Sequence, residues 1–304
     1  MRVGVHLRIP TTAEAGMDAL LDEAVTAHRL GLDLWIPQTN DGDALTALGV
    51  VGRVCPGMRL GTSCVPIWPR HPLVVAMQAL TVQAATGNRL TLGVGLSHRP
   101  LVESEYGIPF ERAVRYMREY LAILGPLLGG SGVDYQGELL TARFAGRLDV
   151  AGARPPSVLV AALGPQMLDV AGRLAEGALL WMVGPKTLAS HIVPRLTEAA
   201  AGAGRGRPEV VVGLPVCVTS DAGRARAEVA AAYAAYGDLP SYRRILDLEG
   251  AAGPGDVALI GDEATVRSAL SSLAEAGATA LSLRPTGSPA EQARTLEVLA
   301  SLKV

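Results

Sequence analysis

The sequence predicts an α/β fold, a (β/α)8 TIM-type barrel with insertions, and three observations lead to it. Short apolar runs rich in valine, leucine and isoleucine recur eight times and alternate with amphipathic stretches. Most of these runs are continuously hydrophobic, which indicates strands covered on both faces and hence a parallel sheet. Eight such pairs over 304 residues fit the usual size of this barrel. A doubly wound sheet is the alternative, but no linker or composition break marks a second domain, so residues 1–304 are expected to form one domain.

The predicted elements alternate along the whole chain. In order, the strands are Arg2–Ile9, Leu32–Pro37, Arg59–Val65, Arg89–Gly95, Ser157–Leu163, Gly177–Val183, Glu209–Val218 and Thr279–Leu283. The helices between them are Glu14–Leu30, Asp43–Val54, Pro72–Thr86, Glu111–Leu128, Pro165–Ala175, Pro185–Ala203, Asp221–Tyr236 and Glu263–Ala276, with Glu291–Leu302 closing the chain. Two irregular insertions remain, at 129–156 and 237–262. Long loops in a compact domain are usually functional covers, and the first, a predicted hairpin, is our candidate cover for a substrate pocket.

Composition excludes several classes of protein. Lysine plus arginine (27) nearly balance aspartate plus glutamate (29), so no global field attracts nucleic acid or an anionic membrane. No stretch approaches the ~20 apolar residues of a membrane helix, and the N-terminal apolar run is too short for a secretory signal. Three widely spaced cysteines without a CxxC pair indicate neither a disulfide framework nor a zinc site. We therefore expect a reduced, cytoplasmic protein without a metal.

In such a barrel, chemistry lies at the carboxyl ends of the strands. The stretch GTSCVPIWPRHP, residues 61–72, ends a core strand near Val65, because two prolines then bracket Ile67 and Trp68. It raises the question of why a strand should stop at a serine and a cysteine. Trp68 and Trp181, at the ends of the third and sixth strands, are either walls of a substrate pocket or buried core residues.

Two further strand ends carry recognisable patterns. In LGVGLSHRP, residues 92–100, the lone GxG lacks the third glycine of a dinucleotide fingerprint, so Gly95 is expected to allow a close approach of the backbone. Ser97 and His98 are adjacent, which makes them a poor nucleophile and base but reasonable donors to a ligand. In VLVAALGPQM, Gly164 and Pro165 start a helix whose first N–H groups, at Gln166 and Met167, suit an anion such as phosphate. An ordinary βα turn would use the same glycine and proline.

His6 and Gln38 are the candidate catalytic side chains, and each has a purely structural role as the alternative. His6, after the first strand, is either a proton donor at the barrel mouth or a core histidine with satisfied hydrogen bonds. Gln38, followed by Thr39 and Asn40, either bonds a heterocycle or caps its loop. The chain contains neither a GxSxG elbow nor an HExxH pair.

Three long blocks resemble the luciferase-like monooxygenase superfamily, and in particular its coenzyme F420-dependent oxidoreductase branch. They are PRHPLVVAMQALTVQAATGNRLTLGVGLSHRP (69–100), PPSVLVAALGPQMLDVAGRLAEGALLWMVGP (155–185) and VALIGDEATVRSALSSLAEAGATALSL (257–283). The resemblance implies a modified TIM barrel, usually a homodimer, that holds a flavin or deazaflavin at the strands' carboxyl ends. It also implies that the third strand ends in a bulge with a non-prolyl cis peptide at Ser63–Cys64, which forms a backstop for the cofactor ring together with Val65.

The resemblance also assigns the remaining cofactor contacts. Gly95, Ser97 and His98 match the fourth-strand loop that lines the cofactor, and Gly164 to Met167 match the turn that binds its phosphate. An acidic residue or histidine is common after strand two in this branch, so Gln38 puts the usual proton-transfer role there in doubt. The implied activity is hydride transfer between F420 and a small organic substrate, in either direction, with His6 handling the proton. An FMN-dependent monooxygenase and a non-catalytic flavin-binding protein are the alternatives.

Overall fold

The computed structural model describes residues 1–11, 16–38 and 42–302. Eight parallel strands close into a barrel, because each pairs with the next and the last pairs with the first. The predicted TIM-type fold is therefore confirmed. The barrel strands are β1 Arg2–His6, β2 Asp33–Ile36, β3 Leu60–Thr62, β5 Leu90–Gly95, β8 Ser157–Ala161, β9 Gly177–Trp181, β10 Glu209–Val218 and β12 Ala280–Pro285.

Four short strands lie outside this ring of eight. Strand β4 (Val65–Pro66) continues β3 after an interruption and pairs with β5. Strands β6 (Val133–Gln136) and β7 (Thr141–Phe144) form the antiparallel hairpin that was predicted for the first insertion. Strand β11 (Leu259–Gly261) lies in the second insertion, where the sequence predicted no strand, and pairs with β10.

Helices surround the barrel. They are α1 Gly16–Arg29, α2 Ala44–Val54, α3 Pro72–Thr86, α4 Arg99–Glu105, α5 Ala113–Leu128, α6 Pro165–Leu174, α7 Pro185–Thr187, α8 Val193–Ala201, α9 Ala222–Ala232, α10 Ala234–Asp238, α11 Pro240–Glu249, α12 Pro254–Val257, α13 Glu263–Glu275 and α14 Pro289–Ala300. A π-helical turn, Leu188–Ile192, joins α7 to α8. No helix among the described residues is long and apolar enough to cross a membrane.

The sequence-based helix boundaries are wrong in three places. A separate helix, α4, precedes α5, since residues 106–112 between them are not helical. The predicted Asp221–Tyr236 helix breaks at Tyr233, which leaves the helical region and separates α9 from α10. The second insertion is mostly helical and contains α11 and α12. Periodicity alone missed these short helices because each buries only a few residues.

The hydrophobic core has two layers. Side chains inside the barrel form a compact cluster of buried residues, and a larger cluster lies between the strands and the surrounding helices. The inner cluster comprises Trp35, Leu159, Leu179, Val211 and Ala280, with Cys64 and Ala161 packed against it. Cys64, which was predicted to contact the cofactor, therefore packs against the interior of the barrel.

The first insertion is fastened to the outside of the barrel by the buried side chain of Glu119 on α5. Its carboxylate accepts hydrogen bonds from the backbone N–H groups of the hairpin turn, those of Glu138 (3.1 Å), Leu139 (2.9 Å) and Leu140 (2.9 Å). Arg115 also donates to it, at 2.9 Å. The hairpin that we expected to cover a substrate pocket is thus held against the flank of α5.

Candidate active site

The third barrel strand is interrupted by a bulge. Leu60 and Gly61 pair with Leu90 and Thr91, whereas Val65 pairs with Val94, so the segment after Gly61 contains one extra residue relative to β5. The peptide bond within this bulge, Ser63–Cys64, is cis, which confirms the predicted non-prolyl cis peptide.

Hydrogen bonds on both sides hold this bulge in place. Thr62 Oγ1 accepts from the N–H of Gly93 and donates to its carbonyl oxygen, both at 2.8 Å. The Ser63 N–H donates to the Ile36 carbonyl at 2.9 Å, and the Gln38 N–H donates to the Cys64 carbonyl at 3.3 Å. The bulge is therefore tied to the strands on either side of it.

Gly95 makes room for the Cys64 side chain. A Cβ atom on residue 95 would overlap the sulfur of Cys64 and would also come within 2.9 Å of Ala161 Cβ. Burial raises the pKa of the Cys64 thiol to about 12, so the sulfur stays protonated and uncharged. Cys64, Gly95 and Ala161 together make a close-packed, uncharged wall at this end of the barrel.

His6 lies in the barrel mouth beside two hydroxyl groups. Its Nδ1 is 3.4 Å from the hydroxyl oxygens of both Ser63 and Ser282, and its carbonyl oxygen accepts from Nη1 of Arg284 at 3.2 Å. Desolvation, reinforced by Arg284 and Arg8, lowers the pKa of His6 to about 3. The imidazole is therefore neutral near pH 7, which fits a hydrogen-bonding role better than that of a charged proton donor.

Ser282 was absent from the sequence-based candidates. It is 2% exposed and lies on β12, the last barrel strand. A signal was present in the sequence, since a lone serine interrupts the apolar run ALSL inside a predicted buried strand. A buried polar residue at such a position needs a partner, and here it is His6.

Gln38 uses its side chain within its own loop. Its Nε2 donates to the Gly42 carbonyl at 2.7 Å, and its Oε1 accepts from the Ala44 N–H at 2.8 Å, at the start of α2. The loop-capping alternative is thus the one observed. Thr39 and Asn40 lie outside the described residues.

Ser97 and His98 follow directly on β5. Ser97 has a positive φ of 58°, an uncommon backbone conformation for a residue with a side chain. His98 precedes α4, and burial lowers its pKa. Its ring lies 5.7 Å from the rings of both Tyr236 and Tyr242, measured between centroids.

The turn after β8 presents the start of α6 at the same end of the barrel. Gly164 is the N-cap and Pro165 the first helical residue, as predicted. Gln166 is exposed and Met167 is buried. Nε of Arg195, on α8, donates to the Pro165 carbonyl at 2.9 Å. A helix N-terminus and a guanidinium therefore meet here, and both favour an anionic group.

The two candidate tryptophans lie in different surroundings. Trp181 contacts the rings of His6 (5.2 Å) and Tyr233 (5.7 Å) at the barrel mouth. Trp68 is 7% exposed and stacks on Tyr116 of α5, with ring centroids 4.1 Å apart. The structure thus brings Trp181, but not Trp68, together with His6.

The second insertion and the preceding helix supply the cover over the mouth, whereas the sequence analysis chose the first insertion for that role. Tyr233, Tyr236 and Tyr242 contact Trp181, His98 and one another. Three of the seven tyrosines fall within YAAYGDLPSY, residues 233–242, and this concentration was the available signal. The α10–α11 segment, and not the first insertion, therefore lies over the strand ends.

Two pronounced surface cavities lie away from this mouth. One, of about 420 Å³, is at the opposite end of the barrel, beside Ser157 and Glu209 at the starts of their strands and Glu176 just before β9. The other is an apolar groove of about 630 Å³ between α2 and α3. Neither contains any of the mouth residues described above.

Comparison with known proteins gives concordant results. The family model described as luciferase-like monooxygenase matches residues 1–303. The chain is 30% identical to uncharacterized protein Rv1360 of Mycobacterium tuberculosis over 244 residues, which are 75% of this chain and 71% of that protein. It is 27% identical to a 5,10-methylenetetrahydromethanopterin reductase of Methanolobus tindarius (68% and 63% of the two chains). It is 28% identical to an F420-dependent glucose-6-phosphate dehydrogenase of Microbacterium testaceum (66% and 63%).

Solved structures share the fold along nearly the whole chain. An F420-dependent secondary alcohol dehydrogenase, solved with an F420-acetone adduct, has a TM-score of 0.82 at 16% identity and covers 99% of this chain and 98% of its own. The oxygenating constituent of 3,6-diketocamphane monooxygenase from Pseudomonas putida, solved with FMN, has a TM-score of 0.76 at 19% identity (99% and 96%). With the family model matching the chain from end to end, this protein belongs to the luciferase-like monooxygenase family.

Proposed function

We propose that this protein is an F420-dependent oxidoreductase that transfers a hydride between the deazaflavin and a small organic substrate. The observation that carries the proposal is the meeting of two features at one end of the barrel. An uncharged wall of Cys64 and Gly95 suits a planar ring, and the start of α6 with Arg195 suits a phosphate. The F420-dependent reductases and dehydrogenases among the relatives support the choice of cofactor.

In this proposal each segment of the mouth has a distinct role. Ser63, Cys64 and Val65 back the cofactor ring, Gly95, Ser97 and His98 line its side, and the turn from Gly164 to Met167 holds its phosphate. Once bound in reduced form, the deazaflavin supplies the hydride. Neutral His6 hydrogen-bonds the substrate, and Gln38 keeps the neighbouring loop closed.

Equilibrium titration with oxidised F420 and, in parallel, with oxidised FMN tests the cofactor assignment. F420 binding at least tenfold tighter than FMN binding is the expected result. Preference for FMN would move the assignment to an oxygen-using monooxygenase, which the FMN-bound structural neighbour favours. Binding of F420 without turnover of any ketone, enone, imine or alcohol in a broad panel would favour a non-catalytic binding protein.

We also propose that the protein is a homodimer formed through α2 and α3. Four large apolar side chains on these helices are exposed: Val50 (42%), Val54 (47%), Val74 (41%) and Met77 (43%). They lie in or beside the groove between the two helices, where Gln78 Oε1 is buried without a hydrogen-bond partner among the described residues. Because a two-fold axis places the same patch on both copies, a second copy would cover the apolar side chains and could supply a donor to Gln78.

Light scattering after size-exclusion chromatography measures the oligomeric state. Val50→Asp together with Met77→Asp is expected to give a folded monomer from a dimeric parent. Leu174→Asp, at an equally exposed apolar residue on α6, is the matched control and should stay dimeric. A monomeric parent would refute the proposed dimer.

Three unpaired cysteines, two of them buried, agree with the proposed cytoplasmic location.

A further inference from the structure

The barrel mouth is lined by a connected set of aromatic rings. Trp181 is the central ring, with centroid distances of 5.2 Å to His6, 5.7 Å to Tyr233 and 6.5 Å to Tyr236. Tyr236 continues the set to Tyr242 at 4.8 Å and to His98 at 5.7 Å. Such a wall offers apolar faces to a planar ligand.

Every titratable member of this wall is uncharged near pH 7. Burial lowers the pKa of His6 to about 3 and also lowers the pKa of His98. Burial raises the pKa values of Tyr233, Tyr236 and Tyr242. A ligand that enters this wall loses water and meets neutral rings there, which penalises a charged ligand.

Charged side chains lie at one edge of the mouth and are already engaged. Arg284 donates to the His6 carbonyl, and burial raises the pKa of Glu23 although the charge of Arg284 partly offsets this rise. Arg8, which influences His6 and Tyr233, has interaction partners as well. Both arginines therefore already interact with groups of the protein itself.

One polar atom in the aromatic wall lacks a partner. Nε1 of Trp181 is buried and has no hydrogen-bond acceptor among the described residues. Burying such a donor without an acceptor is unfavourable. An oxygen of a ligand bound against Trp181 would satisfy it.

We propose that this mouth binds an uncharged, planar ring compound bearing a carbonyl group, with its ring against the tyrosines and its oxygen accepting from Trp181 Nε1. The proposal rests on the proposed function, because it names the substrate class of that same site. It sets this chain apart from a dehydrogenase of a phosphorylated sugar, such as the glucose-6-phosphate relative.

Binding of three probes to the protein loaded with oxidised cofactor tests the substrate class. The neutral enone 4-phenyl-3-buten-2-one and the anion cinnamate share a planar styryl group and differ mainly in charge, and glucose 6-phosphate represents sugar phosphates. We expect calorimetry to give a dissociation constant for the enone at least tenfold lower than for either anion. Equal or tighter binding of cinnamate or glucose 6-phosphate, or binding of none of the three, would overturn the proposal.

Trp181→Phe tests the hydrogen bond separately, because it removes the N–H and keeps an aromatic ring. Binding of the enone should weaken about tenfold, while binding of 1-phenyl-1-butene, which lacks the oxygen, should change less than twofold. Trp35→Phe is the matched control: its Nε1 is also buried and unpartnered, but it lies in the barrel interior. Equal losses for both ligands would mean that Trp181 contributes packing alone.

The outcomes distinguish this inference from the function on which it rests. Failure of both F420 and FMN to bind in the cofactor titration would refute the proposed function. Normal cofactor binding combined with a preference for the anionic probes would refute only the substrate class.

Discussion

The sulfur atom of Cys64 occupies the space that a Cβ atom on residue 95 would need. This relationship joins the bulge after β3 to the end of β5, the two segments that form the uncharged wall of the mouth. It explains why a glycine ends β5: the cysteine side chain turns towards the neighbouring strand and no side chain can oppose it.

Gly95→Ala should therefore destabilise the protein by about 1–3 kcal/mol through overpacking, as measured by urea unfolding. Cys64→Ala removes the sulfur, so the double variant should recover part of the loss, with a coupling of about 1 kcal/mol. Recovery should be incomplete because Ala161 Cβ also lies 2.9 Å from the added atom. Gly125→Ala, where a Cβ meets nothing within 4 Å on α5, is the control and should not destabilise. Additive effects of the two changes would contradict the predicted contact.

Acid should destabilise the fold through His6. Its pKa is lowered from 6.5 to about 3 in the folded protein, so between these values the unfolded chain binds the additional proton. The contribution of His6 to the free energy of unfolding is complete above pH 6.5. Below that pH it falls by up to ~1.4 kcal/mol per pH unit. Unfolding of His6→Asn between pH 4 and 6 should have a correspondingly flatter pH dependence. The same slope in both proteins would show that His6 becomes protonated in the folded state.

The Glu119 carboxylate should hold the first insertion against α5. Burial alone would raise the pKa of Glu119, but the hydrogen bonds from Arg115 and from the hairpin N–H groups outweigh it and hold the pKa at about 2. A carboxylate with a lowered pKa stabilises the fold above its ordinary pKa near 4.5 and loses this effect as the pH falls towards 2. Glu119→Gln should cost about 1–3 kcal/mol and speed proteolysis of the turn at 137–140. Glu111→Gln, at an exposed position just before α5, is the control. Equal proteolysis of both variants would contradict the predicted role of Glu119.

Arg195 should contribute to cofactor binding through the phosphate alone. Arg195→Gln is expected to weaken F420 binding about tenfold at low salt and less at high salt, since the charge on this exposed residue is screened. A deazariboflavin chromophore without the phosphate should bind the variant and the parent equally well. Arg207→Gln, at the opposite end of the barrel, is the control. Equal weakening of binding for both ligands would mean that Arg195 acts by stabilising the fold and not by contacting the phosphate.

The barrel itself could be predicted from the sequence because buried parallel strands need continuous apolar runs, and each of the eight predicted runs overlaps a barrel strand. The turn at Gly164 and Pro165 could also be predicted from the sequence, since glycine and proline have local backbone preferences. The bulge and cis peptide at Ser63–Cys64 were expected only through resemblance to a family.

Only the tertiary structure decided which side chains meet at the mouth. It brought Ser282 to His6 across 276 positions of the chain, placed Trp181 with the tyrosines of the second insertion, and packed Trp68 against α5. It also turned the Gln38 amide into its own loop. Local pattern fixes which residues lie on buried strands, because burial and period are properties of a short segment. Contacts between strand ends depend on how the barrel closes and on which insertion lies over it, and no short segment contains that information.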